Sequence, residues 1–319
     1  MKSLKSIENK MKPLTVYAKY AWGVLIYNLI VIMWGAFVRA TGSGAGCGQH
    51  WPTCQGEIIP IAPQLETLIE YSHRITSGLS LVSVVVLFIW AFRIYPKGNP
   101  TRTGAFLSFV FIIIESILGA GLVLLQLVAE NVSMLRVFSM GIHLANTFML
   151  VGVIALTAWW ASGGTAIDFK SKKKEKNKLI LALIIIVLVG VAGAVTALGD
   201  TLFPVHGADK AVTSVQVITK ELLVKLRYLH PVLALGAALY LLNLFFHYRK
   251  ANMSPALNII TKLGIFLYLL QILIGLTNIV LKVPTWLQLT HLLFADLVWI
   301  SVVLLSAEIL KKEPIPETS

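Results

Sequence analysis

The chain has 319 residues, 57% of them hydrophobic and only 13% charged, with a net charge of +12 and a mean hydropathy of +0.79. Such a balance cannot be solvated as an ordinary globular surface, so a soluble fold is excluded and a membrane protein is left.

Apolar runs of about 20 residues are long enough to cross a hydrocarbon core of about 30 Å. Eight are predicted, at about residues 20–38, 69–92, 104–128, 134–160, 179–198, 222–247, 259–281 and 284–309. The lysine-bearing start runs into the first of them with no small-residue cleavage pattern, so no cleavable signal peptide is expected and the first helix stays. Nineteen of the 27 Lys and Arg flank one side of these spans: five before the first span, three at 93–102, six at 170–178, three at 249–262, and Lys311 with Lys312. The positive-inside rule then makes both termini and the even-numbered loops cytoplasmic, or puts them on the equivalent side of an organelle membrane. The run "KSKKKEKNK" lies between two spans and reads as a topology signal, which excludes nucleic acid as a partner.

Between the first two spans lies "GSGAGCGQHWPTCQGEIIP", with the two cysteines of the chain, Cys47 and Cys54. The expected topology puts this loop on the outer face, where thiols oxidise, so a disulfide is expected. A ring this short is worth about 2.5 kcal/mol by chain entropy. The glycines, with Pro52, Pro60 and Pro63, describe a compact non-helical cap. The rival is a metal site on Cys47, His50 and Cys54, which lacks an obvious fourth ligand.

Further along, the chain repeats itself. "GAFVRATGS" resembles "GAVTALGD", with Gly42 lying 157 residues before Gly199, and "YSHRITSGL" resembles "YLHPVLALG", with His73 the same 157 residues before His230. "ESILGAGLVL" pairs with "QILIGLTNIVL", and "HLANTFMLV" with "HLLFADLVW". Each unit has an even number of spans, so the copies share one orientation about an axis along the membrane normal. The expected fold is an all-α polytopic membrane protein of eight transmembrane helices in two repeated four-helix bundles. The expected divisions are residues 1–163 for the N-terminal bundle, 164–178 for a basic cytoplasmic linker and 179–319 for the C-terminal bundle.

Of seven histidines, His73, His143, His230 and His291 lie inside the four even helices, while His50, His206 and His247 fall in loops or at a helix end. Counted from the outer end at 1.5 Å per residue, the four lie roughly 6 to 13 Å deep, at one common level. A single histidine in a helix is an ordinary packing residue, but four ionisable groups converging inside a membrane mark a site. Paired imidazoles across a helix bundle suit heme iron with two axial ligands, one heme per bundle. Zinc would want three or four ligands at one point. Arg39, Arg74, Arg136 and Arg227 cluster near the same boundary and are candidates for pairing with heme propionates, or for snorkelling at the interface. Glu70 precedes His73 by three residues and so shares its helix face, whereas the matching position in the second half is Arg227. It is the candidate group for proton chemistry or for stabilising a cation, its alternative being an ion pair with Arg74 or Arg39. Glu115, matched by Gln271, reads as a hydrogen-bonded structural group.

"GSGAGCGQHWPTC", "EYSHR" and the later histidines together resemble the heme A synthase family of bacteria and mitochondria, over about residues 22–310. The resemblance implies oxidation of a methyl group of heme O to the formyl group of heme A by successive oxygenations. It implies that the first bundle binds the substrate heme through His73 and His143 with Glu70 essential, and that the second holds heme b through His230 and His291. It further implies the cell (inner) membrane as location, heme O synthase as substrate donor, a terminal oxidase or its assembly factors as heme A acceptor, and an electron donor that no residue names. The lipid bilayer is the remaining partner; a homo-oligomer is compatible with these spans but not specified by them. Many members carry a second cysteine pair in the second half, where this chain reads "GDTLFPVHGADK". An iron held by both His73 and His143 has no free position for oxygen, so one ligand must leave during turnover or the oxidant forms elsewhere. The alternative is a diheme b-type electron-transfer cytochrome, which would want hemes stacked at different depths. A heme-handling protein without chemistry would give Glu70 no role.

Overall fold

The computed structural model describes residues 13–170, 172–204, 213–250 and 254–312. Eight helices follow one another: α1 (Val16–Ala40), α2 (Leu65–Ile94), α3 (Pro100–Leu124), α4 (Met134–Ala161), α5 (Lys173–Leu202), α6 (Ser214–Lys250), α7 (Pro255–Val280) and α8 (Thr285–Ile309). All eight are long and apolar enough to cross a membrane, and no strand of a sheet forms among the described residues. Most extend beyond the apolar runs that announce them, because hydropathy marks the hydrocarbon layer while helical hydrogen bonding continues into the polar flanks. By contrast α8 stays within its expected run, starting at Thr285, and α7 ends one residue short of its own; the largest shortfall is in α3. It was expected to reach residue 128, but it stops at Leu124, where the chain turns through Gln126 and Ala129 at φ of 54° and 49°.

Side-chain caps fix several starts. Thr15 accepts from the Ala18 N–H, Asn99 from Thr101, Ser133 from Arg136 and Ser254 from Leu257. Each cap supplies an acceptor to one of the orphan donors of a first turn, worth about 1 kcal/mol. The repeat reaches down to this level, since α3 and α7 both open on a polar cap followed by proline, Asn99-Pro100 and Ser254-Pro255.

In the first half α1 packs on α2, α2 on α3, α3 on α4 and α4 back on α1; α5, α6, α7 and α8 close a second ring in the same order. The rings meet through α1 and α4 of the first and α5 and α8 of the second. Accordingly α4 and α8 are the most buried helices. At this seam Phe148 and Trp299 stack at 5.3 Å, and Trp299 Nε1 donates to the Phe148 carbonyl at 2.5 Å. The outward faces carry Ile26, Ile30, Leu79, Ile117, Leu188 and Leu239, exposed apolar groups that only lipid can solvate. The chain is therefore a multi-pass membrane protein.

The segment joining the halves is tied to the end of α8. Asp168 N–H donates to Leu310 O, Lys312 N–H to Ala166 O, and Lys172 Nζ to Ile309 O.

Candidate functional site

The Cys47–Cys54 pair is joined as a disulfide, which removes the rival metal site on Cys47, His50 and Cys54. The loop it closes is fastened to one face of α2. Thr67 Oγ1 donates to Gly46 O at 2.8 Å, Tyr71 OH donates to Ile58 O at 2.9 Å, and Glu70 Oε2 accepts from Cys47 N–H at 2.8 Å. Arg74 Nη1 donates to His50 O at 2.5 Å and to Thr53 O at 2.6 Å. Thr67, Glu70, Tyr71 and Arg74 are spaced as one helical stripe. Gly46 permits the approach, since a Cβ there would stand 2.5 Å from the Glu66 backbone.

Glu70 is 3% exposed and both of its oxygens are engaged, Oε2 by the loop and Oε1 by Arg74 through Nε at 3.0 Å and through a short contact to Nη2. Of the sequence alternatives for this carboxylate, the structure shows the ion pair with Arg74. In the second bundle the matching Arg227 binds Asp200 at 2.6 Å and Phe203 O at 2.7 Å. Both copies thus tie the even helix to the chain leaving the odd one, but the helix contributes a carboxylate in the first copy and a guanidinium in the second.

The four helix histidines share a setting. His73 of α2 lies against Gly35 of α1, His230 of α6 against Gly193 of α5, and His291 of α8 against Gly275 of α7. A Cβ on each glycine would come within 2.9, 2.9 and 3.0 Å of a ring carbon. All four rings bury their Nδ1 without an aligned hydrogen-bond partner. His73 and His143 belong to the first ring, on α2 and α4, and His230 and His291 to the second, on α6 and α8. A buried imidazole in an apolar span is costly to keep and marks a functional group. Two such imidazoles per bundle, three of the four backed by glycine, form a donor set that suits axial ligation of a heme iron. Among the described residues no three His, Cys, Asp or Glu side chains converge as a metal-ion cluster. His50 is exposed in the loop, His247 rests edge-on against Tyr248, and His206 lies outside the described residues.

The arginines proposed for propionates all have protein acceptors. Arg39 crosses the seam to Ala197 O at 2.7 Å, Thr201 Oγ1 at 2.8 Å and Gln288 Oε1 at 3.1 Å. Arg136 donates to Ala129 O at 2.6 Å and Asn131 O at 2.9 Å, while its buried Nε has no partner among the described residues.

Two further carboxylates lie inside the apolar spans. Glu115 of α3 lies behind His143, with Oε1 3.2 Å from Nδ1. Asp296, unremarked in the sequence, is wholly buried in α8, and neither of its oxygens has a hydrogen-bond partner among the described residues. The signal available in the sequence was an acid midway along a 25-residue apolar span.

Residues 18–303 match the COX15-CtaA family, described as cytochrome oxidase assembly protein. Two Thermus thermophilus proteins, one from each of two strains, are both named protoheme IX farnesyltransferase and are 47% identical to the chain over 295 residues, 92% of its length but 48% of theirs. A heme A synthase of Halalkalibacterium halodurans is 52% identical over 95 residues, which is 30% of this chain and 32% of the relative. Another from an Exiguobacterium species is 43% identical over 103 residues, 32% of this chain and 34% of that protein. The chain thus spans about half the length of the Thermus relatives, and the heme A synthases are matched over about a third of theirs. With a family match running from the start of α1 to within the last helix, the chain belongs to the COX15-CtaA family.

Proposed function

We propose that this chain oxidises a methyl group of heme O to a formyl group, giving heme A for terminal oxidases. The observation that carries the reading is an asymmetry between two sites built on the same histidine pattern: buried paired histidines in both bundles, with Glu70 beside them in one and Arg227 in the other. In this reading residues 1–163 hold the substrate heme between His73 and His143, residues 179–319 hold heme b between His230 and His291, and 164–178 is the linker. A bound heme b supplies one-electron redox chemistry. The protein's part is to hold each ring, to exclude water with apolar helix faces, and to present a carboxylate at the first site. Glu70, held by Arg74 and the loop, is the acidic group one turn from His73 and would stabilise positive charge developing at the substrate methyl carbon. The disulfide loop, fastened to Glu70 and Arg74, fixes that carboxylate in place.

The distribution of Lys and Arg supports cytoplasmic termini, and the bacterial relatives support the cell (inner) membrane. The names of the Thermus relatives support heme O synthase as the substrate donor, and the family description supports a terminal oxidase or its assembly factors as acceptor. The test is to extract hemes from cells with a heme O source, with and without the chain. Heme A is expected only with it. Both hemes bound and no heme A formed would instead favour the electron-transfer cytochrome.

A further inference from the structure

Behind their ligand pairs the two bundles differ at three coordinated positions. Glu115, Asn146 and Thr147 of the first correspond to Gln271, Phe294 and Ala295 of the second. Asn146 Nδ2 donates to Glu115 Oε2 at 2.7 Å and to Phe111 O at 3.0 Å, and Thr147 Oγ1 donates to Glu115 Oε1 at 2.5 Å. Two donors from α4 therefore hold the carboxylate with Oε1 3.2 Å from His143 Nδ1, although the ring N–H is not aligned on it in this structure. In the second bundle the amide of Gln271 approaches His291 at Nε2, at 3.4 Å, and its own carbonyl oxygen is buried without a partner. Phenylalanine and alanine supply no donors there. Nor is an acceptor aligned on Nδ1 of His73.

A carboxylate behind a metal-ligating imidazole fixes its tautomer and raises its basicity. Of the four histidines, His143 alone has such support in this structure. We propose that Glu115 is a positioning residue that makes His143 the retained axial ligand of the first bundle and leaves His73 as the one that can be displaced; this rests on the reading above that the two face one heme iron. It answers the difficulty raised by the sequence, because a position opens on the His73 side while the substrate heme stays anchored from α4. Glu70 lies one turn from His73, on the side that opens.

The experiment uses the full chain purified with heme in both bundles, and compares Glu115→Gln, His73→Ala and His143→Ala by spectroelectrochemistry and heme retention. Glu115→Gln should shift the redox equilibrium of the first heme about tenfold toward the reduced form, about 59 mV for one electron. It should also weaken retention of that heme about 10- to 100-fold, with the second-bundle spectrum unchanged as the control for folding. His143→Ala should lose the first heme, whereas His73→Ala should keep it in a high-spin, five-coordinate form. An unshifted potential with unchanged retention in Glu115→Gln, or equal losses for the two histidine variants, overturns the proposal. Should Glu115→Gln not accumulate, Thr147→Val must shift the potential in the same direction, and no shift there overturns it equally. If the unsubstituted protein holds no heme in the first bundle, it is the ligand reading itself that falls.

Discussion

Glu70 bonds at once to the disulfide loop and to Arg74, so its two contributions need separate tests. In Glu70→Gln one amide oxygen can still accept from Cys47 N–H, but the amide nitrogen then faces the Arg74 guanidinium, donor against donor, and the charge is gone. We expect heme A formation to fall about 100- to 10,000-fold, with heme O or a hydroxylated intermediate accumulating and the heme b spectrum intact. Chromatography of extracted hemes reads this directly. Thr67→Ala is the control, because it removes a loop contact to Gly46 O without touching the charge; an equal loss there would make Glu70 a loop anchor and no more. Asp296 is the opposite case, a buried carboxyl with neither oxygen bonded. An unsatisfied buried polar group costs about 1–3 kcal/mol, so Asp296→Leu should raise the apparent Tm while lowering heme A yield, the usual exchange when a costly group is kept for function. A lower Tm would show that the carboxyl has a partner in the working protein.

At the scale of elements, the helices were legible because lipid imposes a length and a composition that no other constraint overrides. The histidines stood out too, through their recurrence in the four even helices. What the arginines do was not, because a guanidinium at a membrane boundary serves a propionate, a headgroup or a carbonyl equally well, and only coordinates show Arg74 gripping the loop carbonyls of His50 and Thr53. Asp296 was missed for a related reason: its matched residue is Phe148, so the repeat that exposed the histidines gave no counterpart to draw attention to it. The disulfide loop itself yields a test. It is held at both ends, by the Cys47–Cys54 bond and by the close seat of Gly46 on α2. Gly46→Ala must push the loop off the Glu66 backbone, with no flexible side chain there to give way. We expect it to cut heme A formation at least as much as Cys47→Ser, while leaving the heme b spectrum unchanged; normal heme A yield from Gly46→Ala would show the loop to be dispensable.

The whole molecule is two rings that close in the same helix order, and Arg39 is a place where the likeness between them fails in a revealing way. Its matched residue is Thr196, so the clamp from α1 to Ala197, Thr201 and Gln288 occurs on one side of the seam only. If Arg39 serves chiefly to hold the rings together, Arg39→Met keeps much of the side-chain packing but loses three charge-assisted hydrogen bonds. Hydrogen bonds to charged groups are worth about 1.5–3 kcal/mol each and do not add simply, so the apparent Tm should drop by several degrees. Heme b should stay bound at His230 and His291, because no ligand in the second bundle is touched. If instead Arg39 pairs with a propionate, the same variant should lose or shift a heme signal at nearly unchanged Tm. Measuring Tm and the reduced heme spectrum on one preparation separates the two. The structure favours the first outcome, since the guanidinium already holds three acceptors contributed by two helices of the opposite ring.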